Sequence, residues 1–82
     1  MDLRRVRLRG ENLRRADLVG ADLTDATLDG VLLSGANLRD AILTGARLAD
    51  AELVDALLVG ADLAGANLTQ ALLRSATAFK NV

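Results

Sequence analysis

The sequence contains no cysteine and no histidine. The first absence removes disulfides and thiolate chemistry. The second removes the commonest acid–base group and transition-metal ligand of neutral pH. Tryptophan and tyrosine are missing too, and there is one phenylalanine. A globule of 82 residues ordinarily fills its centre with aromatic rings. With 51% apolar residues and almost no rings, this chain must build a narrow core from Leu and Ala. An excess of one charge is also lacking. Ten basic and 11 acidic residues leave a net charge of −1, so no global field draws the chain to nucleic acid or to an anionic membrane. No apolar run approaches the ~20 residues of a membrane helix. The basic start MDLRRVRLRG is not followed by the apolar stretch of a secretory signal. The expectation is one small soluble cytoplasmic domain with no membrane association, no cofactor and no metal.

What is present is a period of five. Every fifth residue from Leu3 to Leu73 is Leu, fifteen in succession. Two residues before each Leu, and again at position 76, stands Ala, except at Met1, Val6, Glu11 and Val31. Two residues after it, Gly or Asp is common, as in Gly10, Gly20, Asp25, Gly30 and Asp40. Sixteen such units fill residues 1–80 without insertion and leave 81–82 as a tail.

Ala, Leu and Arg favour helices by propensity, but the period excludes one. At about 100° per residue, a step of five turns each Leu by roughly 140°, so no apolar stripe forms. A flat strand fails because its side chains alternate faces, and an odd period sends successive Leu to opposite sides. The chain must instead bend once per unit, so that every Leu points to a common axis. Ala and Leu, two residues apart in an extended segment, then face inward together. Gly and Asp suit the bend, Gly by accepting positive φ and Asp by bonding to nearby backbone.

Units such as ADLVG, ADLTD, ANLRD, ADLAG and ANLTQ resemble the A(D/N)LXX motif of the pentapeptide-repeat proteins over nearly the whole chain. The resemblance implies an all-β fold, a right-handed quadrilateral parallel β-helix with four units per coil. Sixteen units would make about four coils.

On that geometry, units four apart share a face, and the outward residues can be searched for chemistry. Paired carboxylates such as Asp22 and Asp25 would lie on a convex, solvated face with no pocket to shift a pKa. Ser34 and Ser75 have no histidine to activate them, and the glycines recur with the bend period rather than as a phosphate loop. No catalytic residue is expected, and the chain is not expected to be an enzyme.

Three features remain for function. Residues 1–20 carry +3, from Arg4, Arg5, Arg7, Arg9, Arg14 and Arg15, whereas residues 21–40 carry −3. This basic collar is a candidate anion or nucleic-acid site, or else a charged sheet edge that discourages stacking. Without interleaved aromatics, nucleic acid is the weaker reading. Val19, Leu57, Val59 and Phe79 fall on one face and form a candidate interface. The ends also depart from the pattern. Glu11 replaces an inward Ala and is expected to turn out to solvent, with the first coil looser than the rest. Phe79 either faces out or, after a one-residue slip, closes the core as a lid.

The expected function is a non-enzymatic structural or protein-interaction module that binds a protein partner or itself, with a dimer through the C-terminal end as one form. The resemblance also suggests a DNA-mimicking, gyrase-interacting role. A near-neutral chain of this length, with a basic end, is a poor match to a long acidic rod.

Overall fold

The computed structural model describes residues 1–76. Within them the chain turns on itself once every twenty residues. Parallel β-bridges join Asp2 to Asp22 and Asp22 to Ile42, Arg7 to Thr27 and Thr27 to Arg47, Asn12 to Leu32 and Leu32 to Glu52, and Asp17 to Asn37 and Asn37 to Leu57. Each turn therefore holds four five-residue units, and equivalent residues of successive turns stack in columns. The described residues contain no helix. Helix propensity is overridden because only the bent, extended path brings every Leu to one axis.

A corner follows each Leu. The amide two residues before the next Leu donates back to the preceding Leu carbonyl, as in Val6 to Leu3 (3.2 Å) and Ala46 to Leu43 (3.0 Å). The third residue of every corner has positive φ, as in a type II turn. All seven glycines occupy this position, but so do Arg5, Arg15, Asp25, Asp40, Asp50, Asp55, Gln70 and Ser75. Stacking evidently holds non-glycine residues in a backbone region they otherwise avoid.

The backbone is satisfied from unit to unit. The amide before each Leu donates to the preceding turn, as in Ile42 to Ala21 (2.9 Å). The amides of the Leu and of the positive-φ residue donate to the following turn, as in Leu43 to Asp62 (2.7 Å) and Asp40 to Val59 (3.0 Å). The corner closes a fourth. The fifth amide, on the residue after Leu, is met by a side chain where Asp or Asn precedes that Leu. Asp17, Asn37, Asp62 and Asn67 each accept from the amide two residues on, at 3.0–3.2 Å. This Asx turn explains why Asp or Asn precedes Leu so often.

Leu23 to Leu63 and Ala21 to Ala61, with Val31, are 0–2% exposed. No polar or charged residue among those described is buried. The space between the Leu rows from Leu33 to Leu73 has no room for a water molecule, which suits an all-aliphatic interior. Both ends of the stack are less covered than its middle, and Leu68 and Leu73 are only partly buried. Leu3, Val6, Leu8 and Leu13 are only partly buried, and Glu11 is exposed.

Candidate functional site

With the interior entirely aliphatic, any site must lie on the outer faces. The six arginines of the expected collar do not act as one ring. Arg4 binds Asp2 through two nitrogens at 3.0 Å and approaches Asp22 at 3.9 Å. The Arg4 hydrogen bonds pull the Asp2 carboxyl down to about 2, and the pair raises the Arg4 pKa. Asp22 is lowered first by the Thr24 hydroxyl and amide, at 2.6 and 3.1 Å, and then by Arg4. Arg14 reaches past Ser34 to Glu52, thirty-eight residues on, at 3.0 Å. This bond lowers the Glu52 pKa. The Ser34 hydroxyl is a second, weaker cause, and it is buried without a hydrogen bond of good geometry. Arg5 and Arg15 stand at corners with φ of 59° and 63°.

Two grooves run along these faces. One, of about 420 Å³, is lined by Arg14, Arg15, Ser34, Glu52, Asp55 and Arg74 among others. Its charges are mixed, and Arg14 is already engaged by Glu52. The other, of about 400 Å³, is lined by Arg7, Arg9, Thr27 and Arg47. Arg7, Thr27 and Arg47 are successive rungs of one column, so a short side chain lies between two long ones. Arg47 also pairs with Asp29 at 3.2 Å. Arg7 and Arg9 make no ion pair among the described residues. The collar expectation omitted Arg47. Its signal was available in the sequence as its position twenty residues beyond Thr27 and forty beyond Arg7.

The candidate apolar interface is interrupted. Val19 and Val59 are 48% and 52% exposed. The bonds from Gly20 to Arg39 and from Asp40 to Val59 place Arg39 between them in the stack. Leu57 is partly buried and lies beyond Asn37 in the Asp17 column. Phe79 lies outside the described residues, as do both readings of it and the last residues of the sixteenth unit. Ile42 and Leu72, 40% and 48% exposed, sit on other faces, each beside an acidic rung: Asp22 and Asp62, and Glu52.

Among the described residues, no group of three or more acidic side chains is placed to hold a metal ion. No helix there is long and apolar enough to cross a membrane.

The repeat and its register have known counterparts. A family model of pentapeptide repeats matches in eight copies over residues 2–35, 21–58 and 51–78. A crystal structure of a pentapeptide repeat protein from Nostoc PCC 7120 is 47% identical with a TM-score of 0.90, covering 92% of this chain and 62% of its own. One from the Arabidopsis thaliana thylakoid lumen is 38% identical with a TM-score of 0.91, covering 98% and 59%. HetL, a Nostoc protein involved in heterocyst differentiation regulation, is 38% identical with a TM-score of 0.57, covering 99% and 42%. The chain thus spans about three fifths of the first two relatives, or less of HetL. No curated protein matches it in sequence. These likenesses imply a right-handed β-helix. On the repeat, the register and the solved relatives together, the chain belongs to the pentapeptide repeat family.

Proposed function

We propose that this protein is a non-enzymatic interaction module, a β-helix of about four coils whose flat outer faces bind a protein partner or a second copy of the chain. The carrying observation is the division of labour between inside and outside. Among the described residues, every buried one is Leu, Ala or Val, and no polar or charged one is buried. Such a scaffold holds its surface side chains on a rigid lattice, which lowers the ordering cost of binding. The thylakoid-lumen source of one relative and the involvement of HetL in heterocyst differentiation regulation agree with a scaffold whose function is set by its surface.

The favoured contact surface is the face carrying Leu57 and Val59, with which the five-residue register of the sequence groups Phe79. Light scattering on the wild type, Val59→Glu and Phe79→Glu tests self-association there. A dimer lost in either variant supports it. A monomeric wild type rules out self-association and leaves a heterologous partner, to be sought by affinity capture of the wild type against Val59→Glu from the native cell. Equal recovery of every protein by both baits would count against this face. A cytoplasmic location goes with this proposal. DNA mimicry has less support, because residues 1–20 carry +3 where an acidic surface is required, and a gyrase supercoiling assay tests it.

A further inference from the structure

We propose that Arg7, Arg9, Thr27 and Arg47 form a binding site for an oxyanion of the phosphate-monoester type. The groove they line holds about 400 Å³. Its shape follows from the register. Thr27 lies one rung from Arg7 and one rung from Arg47 in a parallel column, so the two guanidinium-bearing rungs are about 9.6 Å apart at the usual strand spacing. Thr27, shorter than either Arg, leaves a notch between them. Arg9 flanks the notch from the corner beside Arg7. No other column of bridged residues described here has a cation on both sides of a short side chain. The corresponding rungs are Asp2, Asp22 and Ile42, then Asn12, Leu32 and Glu52, then Asp17, Asn37 and Leu57.

Charge selects the ligand. Arg7 and Arg9 lack an ion-pair partner among the described residues. Asp29 engages Arg47 through Oδ2 at 3.2 Å, while its buried Oδ1 accepts no hydrogen bond. Three guanidinium groups and one carboxylate leave +2 at the groove. A phosphate monoester near pH 7 carries between about −1.5 and −2 and offers three strong acceptor oxygens. Guanidinium forks bind such groups through paired N–H bonds. Asp29 works against binding, because it repels the anion and occupies Arg47. The site therefore differs from a diffuse collar at residues 1–20 in needing a residue from the third turn and in being improved by losing an acid.

The test is an amide-resolved NMR titration of the full chain with inorganic phosphate, repeated with a phosphoserine peptide and with its unphosphorylated form. Saturable shifts centred on Arg7, Thr27 and Arg47 are expected. Equal affinity for phosphate and phosphopeptide would mark a site for the free group, and tighter peptide binding a protein-borne one. Arg47→Gln and Arg9→Gln should each weaken binding about tenfold, while Asp29→Asn should tighten it several-fold. Arg15→Gln removes the same charge outside the groove and should change little. A thermal melt of each variant checks that it is folded. The proposal is overturned by non-saturable shifts, by equal losses in Arg15→Gln and Arg47→Gln, by weaker binding in Asp29→Asn, or by equal response to the unphosphorylated peptide.

Discussion

Asp25 and Gly45 occupy the same corner of successive turns, and the Asp25 carboxylate fills the space where a side chain on Gly45 would begin. Asp40 and Gly60 repeat the arrangement one corner away. Gly30 has nearly the same backbone, φ of 67° against 68°, but nothing lies within 4 Å of the position a Cβ would take. Gly30→Ala should therefore cost only the backbone term, about 1 kcal/mol. Gly45→Ala should cost clearly more, because Asp25 must move. In an Asp25→Gly background the extra cost should vanish, and a double-mutant cycle by urea denaturation reads it directly. Equal costs for the two single variants would contradict the stacking of Asp25 on Gly45.

Core position should set the cost of cavities. Leu43 is 1% exposed in the middle of the stack, whereas Leu3 is partly buried at its open end. Leu43→Ala should lose roughly 2–5 kcal/mol, the usual range for a core cavity. Leu3→Ala should lose less, since water already reaches part of that side chain. Chemical denaturation of both variants checks the order.

The Asx turn makes a separate prediction. Asn37 Oδ1 accepts from the Arg39 amide at 3.2 Å. Asn37→Ala should cost about 1 kcal/mol, the net worth of one such bond. Ile42 occupies the equivalent position without any acceptor, so Ile42→Asn should recover a bond to the Thr44 amide. Hydrogen exchange at Arg39 and Thr44 follows the effect: faster at Arg39 in the first variant, slower at Thr44 in the second.

Acid should loosen the first turns. Asp2, Asp22 and Glu52 all have pKa values below their ordinary 3.8, 3.8 and 4.5. A depressed carboxyl stabilises the fold above its unfolded value and loses that contribution as pH falls through the folded one. The loss should begin near pH 4.5 and continue to about 2, where Asp2 titrates. Removing the Arg14 hydrogen bond takes away the first cause of the Glu52 shift. Arg14→Gln should therefore raise the Glu52 pKa towards 4.5, as followed by its side-chain carboxyl NMR shift.

The period of five was enough to exclude helix and flat strand and to place Ala and Leu inside, and the charge of Glu11 was enough to expect it in solvent. Two things were not visible in the sequence, and a third was visible but not used. The first was the reason for Asp or Asn before Leu, which needs the one amide that neither the corner nor the adjacent turns satisfy. The second was the backbone tolerance of Arg5, Arg15 and Gln70 at positive φ, where stacking outweighs intrinsic preference. The third was the division of the arginines. Counting charges in residues 1–20 grouped six of them, but side-chain reach pairs Arg4 and Arg14 with acids and brings Arg47 to Arg7 and Arg9. Columns of stacked rungs, rather than stretches of sequence, are the natural unit for reading this surface.

The twenty-residue register is the claim on which the rest depends, and the chain's lack of cysteine makes it directly testable. Thr27 and Arg47 are bridged in adjacent turns, at a spacing of about 4.8 Å, within the roughly 4.4–6.8 Å that a disulfide spans. The double variant Thr27→Cys, Arg47→Cys should close an intramolecular disulfide readily on mild oxidation. The variant Thr27→Cys, Ile42→Cys, fifteen residues apart and on different faces, should remain reduced. Ready closure of the second pair, or failure of the first, would contradict a coil of twenty residues.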